Sequence, residues 1–290
     1  MPKIITLQQR SPTWLSWRYM KIGASMASVI CDKNPYETPY QLWTKTLDGG
    51  SPPMNDSMQK GIELEPLALD WINSHMGTNY APACMEHHSR GWQIASLDGW
   101  DEKATDKILE IKCPGEKTHK IAMQGNVPDL YIPQLQHQME VAGEERALYL
   151  SYFQNLGQVD VQIIQVFRDD KFIKKMNELE EKFYECLINC TPPELVDRDY
   201  PVLNDPDLLS NASALQDIRR RIKELEKAEE MTKSTLFKLI GERNAIIGNM
   251  KFTRGLRKGA VEYDKIPELK AINLEQYRKE PVQFWRISEK

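Results

Sequence analysis

The chain has 290 residues, long for one domain and short for two of average size, so one core with an appendage is the expectation. With 41% hydrophobic and 28% charged residues, it contains no apolar run near the roughly 18 residues that cross a bilayer, which excludes helical membrane spans. A net charge of −4 excludes a globally basic DNA coat, although a carboxylate-rich site can lower the total while basic patches remain.

The opening MPKIITLQQRSPTW lacks an apolar h-region and a cleavage site, so the cytoplasm is the expected compartment. SPTWLSWRYMKIGASMASVI predicts two short helices, the second opening at Gly23-Ala24-Ser25. ETPYQLWTKTL predicts a third, stopped by Asp48-Gly49-Gly50, and SPPMNDS reads as a loop. MQKGIELEPLALDWINSHMG predicts a helix with Leu64, Leu67, Trp71 and Ile72 on its apolar side, and a kink or restart at Pro66.

The period then changes. WQIASLDGW and KILEIKC predict strands around the turn DEKATD, and PDLYIPQLQHQMEVAG predicts a helix ended by Gly143. ALYLSYF and QVDVQIIQVF predict a hairpin across Asn155-Leu156-Gly157, followed by the amphipathic helix DDKFIKKMNELEEKFYECLIN. This order implies an α/β (α+β) core over residues 1–190, a mixed central β-sheet flanked by helices. TPPELVDRDYPVLNDPD marks a linker over 191–209. Residues 210–290 read as a helix and β-hairpin extension, with Ile218, Ile222, Leu225, Leu236 and Leu239 in a stripe among dense charge. Such a charge run reads first as a solvated face, and Arg254, Arg257 and Lys258 are expected near the hairpin turn.

Cys31, Cys84, Cys113, Cys186 and Cys190 contain no C-x-x-C pair, which argues against disulfide, zinc and iron–sulfur frameworks. The chemistry lies in SLDGWDEKATDKILEIKCP. Strand alternation points Glu110 and Lys112 to one face and Ile111 to the other. If the two strands pair, Asp98 lies beside Glu110, and two adjacent carboxylates repel unless a cation separates them. Oxygen ligands suit Mg²⁺ or Mn²⁺ rather than zinc. Lys112 could orient or deprotonate a water, or balance a phosphate charge. A surface hairpin with an ordinary Glu–Lys pair is the plainer reading of the same residues.

The surroundings add weight. Gly61-x-Glu63-x-Glu65 precedes Asp98, and Glu110-Ile111-Lys112 runs into Cys113-Pro114. With W-x3-R (Trp14, Arg18), I-G-A-S (Ile22 to Ser25) and Y-x-x-Q-x-Q (Tyr131, Gln134, Gln136), this set resembles the YqaJ-type viral recombinases. These are relatives of phage lambda exonuclease in the PD-(D/E)xK nuclease superfamily. The resemblance covers residues 8 to 190 and implies a restriction-endonuclease-like core.

It also implies roles. Asp98, Glu110 and the Ile111 carbonyl would be direct metal ligands, Glu65 would reach the metals through water, and Lys112 would position or activate the nucleophilic water. Gln134 matches the family's active-site glutamine, with Tyr131 and Gln136 nearby. Arg18, Ser25 and Ser96 fall where relatives hold the terminal 5′-phosphate of DNA. Where the pattern has a further arginine, this chain has Thr118, with Lys117, His119 or Lys120 as substitutes. The implied activity is two-metal 5′→3′ digestion of linear duplex DNA to 5′-mononucleotides, with Mg²⁺ or Mn²⁺. The implied partners are DNA with a 5′-phosphate end, two further copies in a trimeric ring, and a single-strand annealing protein, in the cytoplasm of a bacterial host. The rivals are a structure- or site-specific endonuclease of the same fold and a non-catalytic DNA-binding scaffold.

Overall fold

Two buried layers against one sheet organise the chain in a computed structural model, which describes residues 2–49 and 55–255 with isolated positions at 259, 262, 265–267 and 272. Most of the expected SPPMNDS loop, and Arg257 and Lys258, lie outside the described residues. The chain divides into two compact units, Met1–Val202 and Leu203–Lys290.

The first unit starts with strand β1 (Lys3–Ile5) and helix α1 (Pro12–Arg18), whose first turn is capped by Ser11 with Pro12 behind it. The two-residue strand β2 (Ile22–Gly23) leads through a 3-10 turn, Ala24–Met26, into the short helix α2 (Ala27–Ile30). Helix α3 (Pro39–Leu47) has a capping box in which Thr38 and Gln41 satisfy each other's backbone. Helix α4 (Asp56–Met76) starts at an Asn55 cap and ends at Gly77 in the left-handed region. Three strands follow, β3 (Ala81–Glu86), β4 (Gln93–Trp100) and β5 (Ile108–Lys112), and then helices α5 (Glu116–Met123) and α6 (Ile132–Ala142). The long hairpin β6 (Arg146–Asn155) and β7 (Gln158–Phe167) and helix α7 (Asp170–Ile188) complete the unit.

The strands run β1-β3-β4-β5-β6-β7, with β2 pairing parallel to the start of β4. Only β5 and β6 are parallel among the in-line neighbours, because α5 and α6 carry the chain across between them. On one face α6 sets Leu135 and Met139 against Leu97, Ile108 and Tyr149; on the other α4 sets Leu64, Ala68 and Ile72 against Leu109, Ile111 and Leu150. Each large buried side chain is worth about 1.5–3 kcal/mol relative to exposure. The alternation of β5 between these layers directs Glu110 and Lys112 toward the α6 side.

Several details differ from the sequence reading. β1, β2, β3 and α5 were not foreseen. APACME lacks β-branched residues and contains Pro82, yet β3 forms because β1 and β4 pair on both sides. Its register shifts between Ala81 and Ala83, at the residue with no N–H to give. Helix α4 is one element through Pro66 rather than two, and Leu67 is exposed while Ala68 takes the buried position. The sheet selects the 64-68-72 row, one turn apart, so Leu67 points away.

The expected linker is partly structured: Asp197–Asp199 forms a 3-10 turn whose Asp199 accepts from Thr38, and Arg198 reaches Asn34 and Asp32. The second unit contains helix α8 (Pro206–Ile240), which takes in residues 206–209 of that span, and the hairpin β8 (Ala245–Ile247) and β9 (Met250–Phe252). The hairpin turns at Gly248-Asn249, so Arg254 lies beyond its second strand and not at the turn. Among the described residues no helix is long and apolar enough to cross a membrane.

Candidate active site

The site begins where β4 and β5 part. Gly99 pairs with Leu109 and Trp100 with Ile108, and there the ladder stops. Two steps of β3 face three of β4, since Ala81 pairs with Trp100 but Ala83 with Leu97. This bulge contains Asp98, and bulges re-aim side chains where a strand would otherwise alternate. The carboxylate of Asp98 then replaces the missing ladder bond: its Oδ2 accepts the Ile111 N–H at 2.8 Å. Gly99 is required beside it. A Cβ there would lie 2.9 Å from the Cβ of Tyr80 and 3.0 Å from that of Leu109.

Glu110 is enclosed, with its side chain 1% exposed. It pairs with Lys112, accepts from Gln134 Nε2 at 2.6 Å and accepts from Gln138 Nε2. Burial and the neighbouring Glu110 charge push Asp98 well above the ordinary carboxylate range. Burial works against the Lys112 charge, but Glu110 and Asp98 outweigh it and raise its pKa, so Lys112 stays an ammonium. Its Nζ stands 5.2 Å from the Tyr131 ring centre, and Tyr131 stacks on Tyr149. Held this way, the Lys112 ammonium can orient a ligand and balance negative charge.

Glu65 comes from α4 and is close enough to add to the upward push on Asp98. Its Oε2 is taken by Arg10 at 2.6 Å, a contact that bridges 55 positions in sequence. Arg10 and Gln138 are the participants that sequence reasoning missed. Gln138 had a signal, one helical turn after Gln134 on the same face; Arg10 had none, because nothing local pairs it with Glu65.

A second cluster forms around Trp14. Its indole N–H donates to Ser96 Oγ at 3.0 Å, and the Arg18 guanidinium lies 4.3 Å from the ring centre. β2 crosses directly behind: a Cβ on Gly23 would be 3.1 Å from Arg18 Nη2, so glycine leaves room for the arginine. Burial pulls the Arg18 pKa down, and among the described residues no carboxylate pairs with it. Ser25 is exposed at the turn that follows.

Two of the expected DNA contacts are placed otherwise. Gln136 is buried, donates to the Phe167 carbonyl at 2.8 Å and accepts from the Asp169 N–H, so it clamps α6 to the β7–α7 junction. His119 is buried, bound to Ser151 Oγ at 2.8 Å and stacked on Phe153. These two are internal packing groups because α5 and α6 turn those faces toward the sheet. Lys120 pairs with Glu116 on the surface, and Lys117 is exposed.

Among the described residues no three histidine, cysteine or acidic side chains converge tightly enough to form a closed ligand cluster. Arg10 pairs with Glu65 and Lys112 with Glu110. The donor chemistry nevertheless fits a hard divalent cation: the Asp98 carboxylate is held near Glu110 and Glu65 at a raised pKa, a repulsion that such an ion relieves.

The bulged mixed sheet with helices on both faces resembles the fold of a solved alkaline exonuclease. The crystal structure of one from Laribacter hongkongensis superposes with a TM-score of 0.54 at 24% identity, covering 62% of this chain and 94% of that one. Its complex with dAMP gives 0.55 over the same shares of the two chains. Residues 13–145 match the model of the YqaJ-like viral recombinase domain. A Bacillus subtilis (strain 168) protein, the uncharacterized protein YqaJ, is 28% identical over 180 residues. That match takes in 59% of this chain, which thus spans about half the length of its relative, 54%.

Proposed function

We propose that the chain is a metal-dependent 5′→3′ exonuclease that degrades one strand of linear duplex DNA to 5′-mononucleotides for strand-annealing recombination. The observation that carries this reading is the Asp98–Glu110 pair beside Lys112 at the β4–β5 fork. Asp98, Glu110 and the Ile111 carbonyl would hold Mg²⁺, for which Mn²⁺ can substitute, with Glu65 contributing from α4. Two such ions, when bound, acidify water and stabilise charge on a phosphodiester. Gln134 and Gln138 hold the Glu110 carboxylate at a set angle. Lys112 keeps its proton and draws the substrate phosphate toward the acids.

Arg18, with no acidic partner among the described residues, has the charge to accept a terminal 5′-phosphate, with Ser96 and Ser25 as hydroxyl donors. Tyr131, Lys117 and Lys120 remain available to DNA. The proposed assembly is a homotrimer, and the proposed partner is a single-strand annealing protein in a bacterial cytoplasm.

The test is digestion of linear duplex with Mg²⁺, comparing 5′-phosphorylated, 5′-hydroxyl and covalently closed substrates, with Lys112→Ala alongside. Mononucleotides from phosphorylated ends, intact circles and a silent variant are expected. Cut circles would make the chain an endonuclease and remove the role given to Arg18.

A further inference from the structure

Helix α8 is 35 residues long, and Leu208, Leu215, Ile218, Ile222 and Leu225 stand exposed along it. They recur in steps of three and four, with Asn211 completing the pattern, which is the heptad spacing by which helices pair. The repeat continues through Glu229 and Thr232. Among the described residues the β8–β9 hairpin covers only the helix end, where Ile240 is buried and Phe237 meets Phe252 edge-on at 6.5 Å. A helix this long, with an apolar seam that is exposed among the described residues, is built to meet another helix.

We propose that α8 pairs antiparallel with α8 of a second copy of this chain, about a two-fold axis at residue 220. In that register Leu215 meets Leu225 of the second copy, and Ile218 meets its Ile222. The two polar positions of the seam answer each other: the amide of Asn211 donates to the carboxylate of the second copy's Glu229, whose remaining charge faces its own Lys233 at 2.6 Å. Beside the seam, Arg219 faces Glu226 of the second copy, and two-fold symmetry makes this contact twice.

The alternatives are worse in charge. A parallel pair sets Glu229 against Glu229. Antiparallel pairs slipped by one heptad set either Glu226 against Glu226 or Arg219 against Arg219, and like charges beside a seam select against a register. The second copy's helix starts at Pro206, opposite Ser234, so the overlap stops just short of the turn that the hairpin covers. This inference uses residues outside the proposed nuclease site and stands or falls separately from it.

Sedimentation of the full-length chain tests it. Ile218→Asp removes the pairing step and defines whatever association the rest of the chain has. Arg219→Glu and Glu226→Arg are each expected to weaken the step by about tenfold or more, since each turns two attractions into repulsions. Mixing these two variants should restore it, because both contacts become attractive again between unlike chains. Arg221→Glu, which faces Ala214 in this register, should behave as wild type. Identical sedimentation of wild type and Ile218→Asp would overturn the proposal. So would indifferent mixing, or a loss on Arg221→Glu equal to that on Arg219→Glu.

Discussion

At the scale of single residues, the site depends on two positions that carry no reacting group. Gly99 lets Leu109 and Tyr80 close against the bulge that contains Asp98. Gly99→Ala must move backbone, at an expected cost on the order of 1–3 kcal/mol in a denaturant titration. Because Asp98 is the next residue, cleavage should fall further than the stability loss explains; unchanged cleavage would disconnect the bulge from the site. Gln138 is the other. Gln138→Leu removes the donor to Glu110 Oε2, and a supporting hydrogen bond of this kind is worth about 10- to 100-fold in activity or metal affinity. Calorimetric Mg²⁺ titration beside the rate would show both falling together; a variant with wild-type metal affinity and rate would leave Gln138 as packing alone. The shared face of Glu110 and Lys112 was legible in the sequence because strand alternation is local, whereas the bulge that aims Asp98 was not. Gln136 and His119 were misread because an amide or imidazole on a helix declares its face only once the helix is packed.

At the scale of elements, α6 and α7 are tied to β4 by a buried polar network. His137 has Nδ1 2.7 Å from Glu180 and Nε2 2.9 Å from the Ile94 carbonyl, while Gln93 donates to Glu180 at 2.7 Å. Both ionisable members are fully buried, so neither can turn to water. Glu180→Ala would strand the imidazole and the amide together, an expected loss of about 3–5 kcal/mol in thermal or chemical denaturation. A loss below about 1 kcal/mol would mean the pocket rehydrates. Nothing in the spacing of His137, Gln93 and Glu180 marks them as partners, since they come from three elements 43 or more positions apart. The helices themselves were legible: Asn55 and Asp169 cap α4 and α7, Pro133 lies in the first turn of α6, and all three have apolar periodicity and terminal glycine or asparagine. The short strands β1 and β3 were not, because a strand of few β-formers is made by its neighbours.

At the scale of the whole molecule, acid sensitivity follows from paired carboxylates in the first unit. Burial opposes ionisation of Glu140, but Arg168, Asn177 and Arg90 overcome it and bring its pKa from 4.5 to about 2. Burial likewise opposes ionisation of Glu86, and Lys21, Trp17 and Lys3 bring it to about 2. A carboxyl with a lower pKa when folded adds stability above its unfolded value and loses it as pH falls through the folded one. Stability is therefore expected to decline between about pH 4.5 and pH 2. Glu140→Gln should lower stability at neutral pH by about 1–2 kcal/mol, given that the group keeps some contact with water. It should also flatten the decline, read as melting temperature against pH; an unchanged slope would remove Glu140 from the account.

The sequence by itself determined the class of the fold, the places of the longer helices and strands, and the acidic pattern at the end of one strand pair. These are properties of neighbours along the chain, set by backbone period, capping and turn chemistry. Only the tertiary structure decided that Arg10 reaches Glu65, that Trp14 joins Arg18 to Ser96, that Gln138 rather than Gln136 faces Glu110, and that Pro66 lies inside one helix. Each of these depends on which face an element buries. That choice is made by the sheet as a whole, where the gain from covering apolar surface exceeds any local preference.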